Sequence, residues 1–375
     1  MHARLRQVRG AALQVAVAVA LACSAAPAAR AATTGAGTTA STGTAASTGT
    51  TSRTAARAST GTTVSTGTTV STAGAVSLAA APASAARAIT VSPPARHPGR
   101  PASDRHGAHG AAGSGTAAGP AGVGARGAEL VNAATGRLLW GRRMNARRPM
   151  ASITKVMTAL VVIRAGHLQR RIRITGAEVR YIRQHDASNA GLHAGDVLTA
   201  RQLLAGMLLP SGCDAAYALA QAYGHPGWRA FVRKMNATAH QLGLHSTHFA
   251  NFDGLPWPTE HSTLSTPHDL IVLAAAAMRL QVFRGIVRQR AHTLAATALH
   301  HRYHWRSTNL LLGHFRGLVG IKTGSTDAAG YCLLFEAVRG RHVLLGVVLD
   351  SSMADPDARF ADAARLLRWG FRTVS

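Results

Sequence analysis

The sequence predicts an α+β domain, an antiparallel sheet flanked by helices with a mainly helical subdomain, and three observations carry that prediction. Short alternating apolar runs joined by Gly-containing turns stand at both ends of residues 127–375. Between them, apolar residues recur at helical spacing behind capping and proline signals. A final amphipathic stretch, Pro356 to Phe371, carries Phe360, Ala364, Leu367 and Phe371 on one face.

Taken in order, Glu129-Leu-Val-Asn and Arg137-Leu-Leu-Trp140 flank a turn ending in Gly136 and read as a hairpin. The apolar run from Ser152 to about Ile163 predicts a helix stopped near Gly166. Arg171 to Thr175 alternates as a short strand does. Thr199 predicts an N-cap for a helix through Leu209. Pro210-Ser211-Gly212 breaks that helix before another from Asp214 to Tyr223. Pro226 opens a helix over 227–242, and Ser265 or Thr266 before Pro267 opens one to about Met278. Leu318 to Thr323, Tyr331 to Val338 and His342 to Asp350 then read as strands, and their short connections imply antiparallel neighbours. The sheet is expected to join the N-terminal hairpin to these strands.

The first 126 residues have a different composition. Arg4, Arg6 and Arg9 precede an apolar run, Ala11 to Ala22, and Ala29-Arg-Ala31 follows. That order predicts a secretory signal peptide over 1–31, with an apolar core too short for an ordinary membrane span. Residues 32–126 are rich in Ala, Thr, Ser and Gly, with Ser-Thr-Gly-Thr recurring at Ser47 and Ser65. They lack the large apolar side chains of a core and predict a disordered tether whose reach is roughly 50–60 Å. The protein is thus expected to be secreted or held in the cell envelope.

The formal charge is +26, with +10 before residue 127 and +16 after it. Such a surface suits an anionic polymer or membrane, so a peripheral contact with membrane or wall polymer stays open. Nucleic acid is not expected, because no helix-turn-helix, zinc-finger spacing or aromatic-interleaved RNA signature accompanies the charge.

Only three of the 41 basic residues are lysines, Lys155, Lys234 and Lys322. A lysine kept in an arginine-rich chain suggests a task needing a compact charge or a releasable proton. Two of the three lie in motifs. Ser152 and Lys155 stand three apart on one helix face, where the amine, if its pKa is lowered, can activate the hydroxyl. Ser211-Gly-Cys213 follows 59 residues later, in a tight turn between helices, and Lys322-Thr-Gly324 a further 111 on, in a strand.

With this ordered trio the sequence resembles the penicillin-recognising serine enzymes, and more narrowly the D-alanyl-D-alanine carboxypeptidases of the S11 serine peptidase family. The likeness extends through Ala151 to Leu160, Leu208 to Ala216, Asp253-Gly-Leu255, Asn309-Leu-Leu and Gly320 to Gly324. It implies a serine β-lactamase/DD-peptidase-like fold and removal of the terminal D-alanine from peptidoglycan stem peptides through an acyl-enzyme. β-Lactams would be covalent inhibitors. Ser152 would be the nucleophile, Lys155 its base and Ser211 a proton relay. Lys322 and Thr323, with Gly324 beside them, would hold the substrate carboxylate, and the backbone N–H groups of Ser152 and Ser325 would form the oxyanion hole. No cofactor is implied.

One departure concerns Cys213, which stands where the family has a substrate-contacting Asn. A thiol is a poorer hydrogen-bond partner, so altered substrate binding is expected. The alternatives are a serine β-lactamase or a catalytically weak wall-binding protein. Against the first, neither Glu260 nor Glu336 has an Asn four positions on, as the deacylating glutamate of a class A enzyme would. Cys213 and Cys332 make no disulfide framework. His300, His301 and His304 offer imidazoles without an acid or cysteine at ligand spacing, so no metal is expected.

Overall fold

The structure, a computed structural model, describes residues 119–375. The expected signal peptide and all but the end of the expected tether lie outside the described residues. The chain opens with strands β1 (Gly127–Asn132), β2 (Leu138–Arg142) and β3 (Arg148–Pro149), then a 3-10 turn, Ala151–Thr154, and helix α1 (Lys155–Ala165). Next come β4 (Arg171–Arg173), α2 (Gly176–His185), β5 (Val197–Thr199), α3 (Ala200–Leu208), α4 (Cys213–Tyr223) and α5 (Trp228–Gln241). After these stand β6 (Leu264–Ser265), α6 (Pro267–Met278), α7 (Gln281–Val287), β7 (Ala291–Leu294) and β8 (Tyr303–Arg306). The chain closes with β9 (Leu318–Thr326), β10 (Gly330–Arg339), β11 (His342–Leu349) and α8 (Ala358–Val374).

The main sheet runs β2-β1-β11-β10-β9 with every pair antiparallel, so the N-terminal hairpin does join the C-terminal strands. Helix α8 covers one face through Phe360, Leu366, Leu367 and Phe371, packed with Leu130, Phe335 and Leu344. A buried ring or Leu of this kind contributes about 1.5–3 kcal/mol. Two glycines permit the close packing. A Cβ at Gly346 would stand 2.4 Å from the Phe335 ring, and one at Gly370 would stand 2.7 Å from Leu130. Arg365, Arg368 and Arg372 point to solvent from the opposite face of α8.

The other sheet face meets the helical subdomain. Residues Lys155 to Val162 of α1 are buried without interruption, which its apolar run dictates. Caps fix where several helices begin. Thr199 and Gln202 form a capping box at α3, and the Thr266 hydroxyl accepts from Asp269 N at 3.1 Å ahead of Pro267 at α6. Helix α2 was not anticipated although Thr175 and Glu178 form the same box, and α7 and the β7–β8 hairpin were not either. The packed chain also reaches back beyond Gly127. Val123 and Ala125 are buried, and the Asp362 carboxylate accepts from Gly124 N at 2.9 Å and Ala125 N at 2.8 Å. Such Gly- and Ala-rich residues carry no apolar pattern, so only their partners mark them as packed. Among the described residues, no single helix is long and apolar enough to cross a membrane.

Candidate active site

The site lies where the first turn of the helical subdomain meets the edge strand β9. Ser152 sits in the 3-10 turn, so the helix expected from Ser152 becomes regular only at Lys155. The turn is set by Ala151, whose φ is 48°, and by Gly254, where a Cβ would come within 1.9 Å of the Ala151 carbonyl. Gly254 itself has φ 83°, which glycine adopts without strain.

Lys155 is fully buried and its Nζ donates to Ser152 Oγ at 2.9 Å and to the Asp253 carbonyl at 2.9 Å. The loop supplying that carbonyl is rigidly held. Asn251 accepts from Gly254 N at 2.7 Å and donates to the Leu255 and Trp257 carbonyls, while Tyr181 donates to the Asp253 carboxylate at 2.7 Å. A serine hydroxyl with a buried amine at hydrogen-bond distance is the geometry in which the amine can activate the hydroxyl.

Ser211 lies in the cleft at φ 68° on the turn before α4. The turn is pinned from the α2–β5 connection. Ser188 Oγ donates to the Ser211 carbonyl at 2.8 Å, Cys213 N donates to the Ser188 carbonyl at 2.8 Å, and Ala190 N donates to the Asp214 carboxylate at 2.8 Å. Cys213 is fully buried, with Sγ 3.7 Å from Ser188 Oγ. Burial pushes its thiol up to about 11 against the opposing charge of Lys155, so it stays protonated at neutral pH and is a poor nucleophile.

On β9, Lys322 is buried and donates to the Thr323 carbonyl at 3.0 Å. Burial first, then the charge of Lys155, holds its amine well below the ordinary lysine value. Thr323 Oγ1 meets Thr308 Oγ1 at 2.5 Å. Gly324 allows the strand to approach the serine turn, since a Cβ there would lie 2.8 Å from the Met150 carbonyl and 3.2 Å from Ser152 N.

Ser152, Ser211, Thr323, Gly324 and Ser325 line a cleft of about 490 Å³, and Lys155, Lys322 and Cys213 are buried among them. The structure thus brings the three motifs together. It adds residues that the sequence did not single out: Arg359 of α8, which donates to the Gly324 carbonyl at 3.3 Å, and Thr308, Ser188 and His185 at the walls. Arg359 also lies over the Tyr331 ring, 5.1 Å from its centroid. No metal-ligating set of three side chains stands in this cleft.

A family model described as D-alanyl-D-alanine carboxypeptidase matches residues 114–353. A protein of Streptomyces sp. (strain K15) named D-alanyl-D-alanine carboxypeptidase is 39% identical over 260 residues, covering 66% of this chain and 88% of its own. The DacB2 carboxypeptidase of Mycobacterium tuberculosis is 35% identical over 238 residues, covering 63% and 79%. The crystal structure of the Streptomyces K15 DD-transpeptidase superposes with a TM-score of 0.64 at 39% identity, over 68% of this chain and all of that one. That relative has also been solved as a cysteine-to-asparagine variant.

Proposed function

Since the chain belongs to the D-alanyl-D-alanine carboxypeptidase family of serine peptidases, we propose that Ser152, Lys155, Ser211 and Lys322 are the residues with which it removes the terminal D-alanine of peptidoglycan stem peptides. The single observation that carries this assignment is the Lys155 Nζ to Ser152 Oγ contact of 2.9 Å inside a cleft that also holds Ser211 and the Lys322 strand.

Ser152 Oγ attacks the carbonyl of the penultimate D-alanine as its proton passes to Lys155. The developing oxyanion is met by the backbone N–H groups of Ser152 and Ser325. Ser211 then relays a proton to the departing D-alanine nitrogen, the peptide bond breaks, and the acyl chain remains as an ester on Ser152. Water resolves that ester and returns the serine. Lys322, Thr323 and Arg359 surround the place of the substrate carboxylate, where two cations and a hydroxyl donor are suited to an anionic chain end. β-Lactams acylate the same serine. Acyl transfer to an amine acceptor is a second reading, favoured by the transpeptidase name of the Streptomyces K15 structure.

The substrate lies outside the cytoplasmic membrane, so the chain works extracytoplasmically. In this reading residues 1–31 direct export, residues 32 to about 118 act as a spacer and the remainder is the catalytic domain. The basic surface supports a peripheral contact with wall polymer.

The test is D-alanine release from a pentapeptide ending in D-Ala-D-Ala, with and without an amine acceptor. Ser152→Ala should lose at least about 10³-fold in rate and all labelling by fluorescent penicillin. Cys213→Asn should keep labelling and shift mainly KM. Release that persists in Ser152→Ala would overturn the assignment, and peptide product joined to the amine would establish the transfer reading.

A further inference from the structure

Away from the cleft, His193, Asp196 and His301 place one ligand atom each within 4.8 Å of one another. The histidines that the sequence offered near residue 300 had no acid beside them. The fold supplies it from 105 residues away, because His301 Nδ1 lies 2.8 Å from Asp196 Oδ1 and His301 N donates to Asp196 Oδ2 at 3.2 Å. The two imidazole rings lie side by side, tilted by 35° with centroids 4.3 Å apart.

We propose that His193, Asp196 and His301 form a binding site for a borderline divalent cation of the zinc type. Two imidazole nitrogens and one carboxylate oxygen are the donor set that such an ion takes, with a fourth position left for water. The carboxylate is preorganised. Asp196 is 5% exposed, and its other oxygen accepts from the Tyr303 hydroxyl, which in turn accepts from His193 N at 3.2 Å. A ligating carboxylate held from behind by a buried donor is the outer-shell support that metal sites use. The histidines are the mobile part. Both are exposed, with the His301 side chain 63% accessible, so they can close around an ion without breaking the core. Ligand atoms around one zinc lie about 3–3.5 Å apart, a small adjustment for an exposed ring.

The ion would tie the α2–β5 connection to the β7–β8 loop, whose Leu299 carbonyl already accepts from N of Val197, the first residue of β5, at 2.7 Å. Calorimetric titration of zinc into the chelator-treated full chain tests the proposal. One saturable zinc per chain is expected, weakened at least about tenfold by His193→Ala and by His301→Ala. His304→Ala, on the same hairpin but bonded to Thr293, should leave it unchanged. Cobalt should give the visible absorption of a four-coordinate site, lost in the two variants. Unaltered D-alanine release by those variants without added metal shows that they fold. Zinc uptake that survives both substitutions, or no saturable uptake by the wild type, overturns the site.

Discussion

The two walls of the candidate cleft bury a lysine equally deeply and treat it in opposite ways. On the helix wall Lys155 has two fixed acceptors, Ser152 Oγ and the Asp253 carbonyl, and the loop carrying the second is locked by Asn251 and Tyr181. On the strand wall Lys322 reaches one backbone carbonyl, faces Lys155 and Arg359, and pairs with no carboxylate among the described residues. The helix wall is therefore complete before substrate arrives. The strand wall is an unfinished electrostatic arrangement, and the partner that it lacks is an anion.

The comparison makes its largest prediction for the lysines themselves. If Lys155 is the base, as proposed, Lys155→Gln should lower kcat by ~10²–10⁴-fold with little change in KM, since the groups proposed to hold the carboxylate stay in place. Lys322→Gln should instead act mainly on KM, lowering kcat/KM by roughly 10²-fold. Equal losses confined to kcat in both variants would abolish the distinction between the walls.

A pH profile sharpens it further. On the proposed assignment Lys322 would hold a carboxylate only when protonated, and its pKa is lowered, so its charge is lost as pH rises through that lowered value. Binding of a peptide with a free carboxylate should weaken on the alkaline side, earlier than an ordinary lysine would titrate. An otherwise identical peptide amide should lack that dependence in KM. Identical alkaline behaviour for acid and amide would remove Lys322 from the binding role.

The smallest effect concerns what supports the helix wall. Ser188→Ala deletes the donor to the Ser211 carbonyl and should lower kcat about tenfold, with Ser188→Thr restoring it. A change in thermal stability alone, with kcat intact, would make the clamp purely structural.

Much of this was legible from local signals. The caps at Thr199 and Thr266, the Gly166 stop and the alternation of the last three strands fixed elements within a few residues. The three motifs gave residues that the fold brings to one cleft. Helix α2 escaped because only Glu178 and Tyr181 of it are buried, leaving no apolar stripe to betray it beyond its capping box. Arg359 escaped for another reason. A cleft-facing guanidinium in an arginine-rich chain has no local signature, and its role appears only when α8 docks beside Gly324. Ser188 and Asp196 are similar, since their meaning lies in partners 23 and 105 residues distant.

That docking has a temporal side. Two residues that line the cleft, Ser152 and Arg359, stand near opposite ends of the described chain, so the ribosome has made nearly all of it before the second exists. A nascent or truncated chain lacking α8 would also leave Leu130, Phe335 and Leu344 bare. The last helix of the described chain thus completes the lining of the cleft and the cover of the sheet in one step.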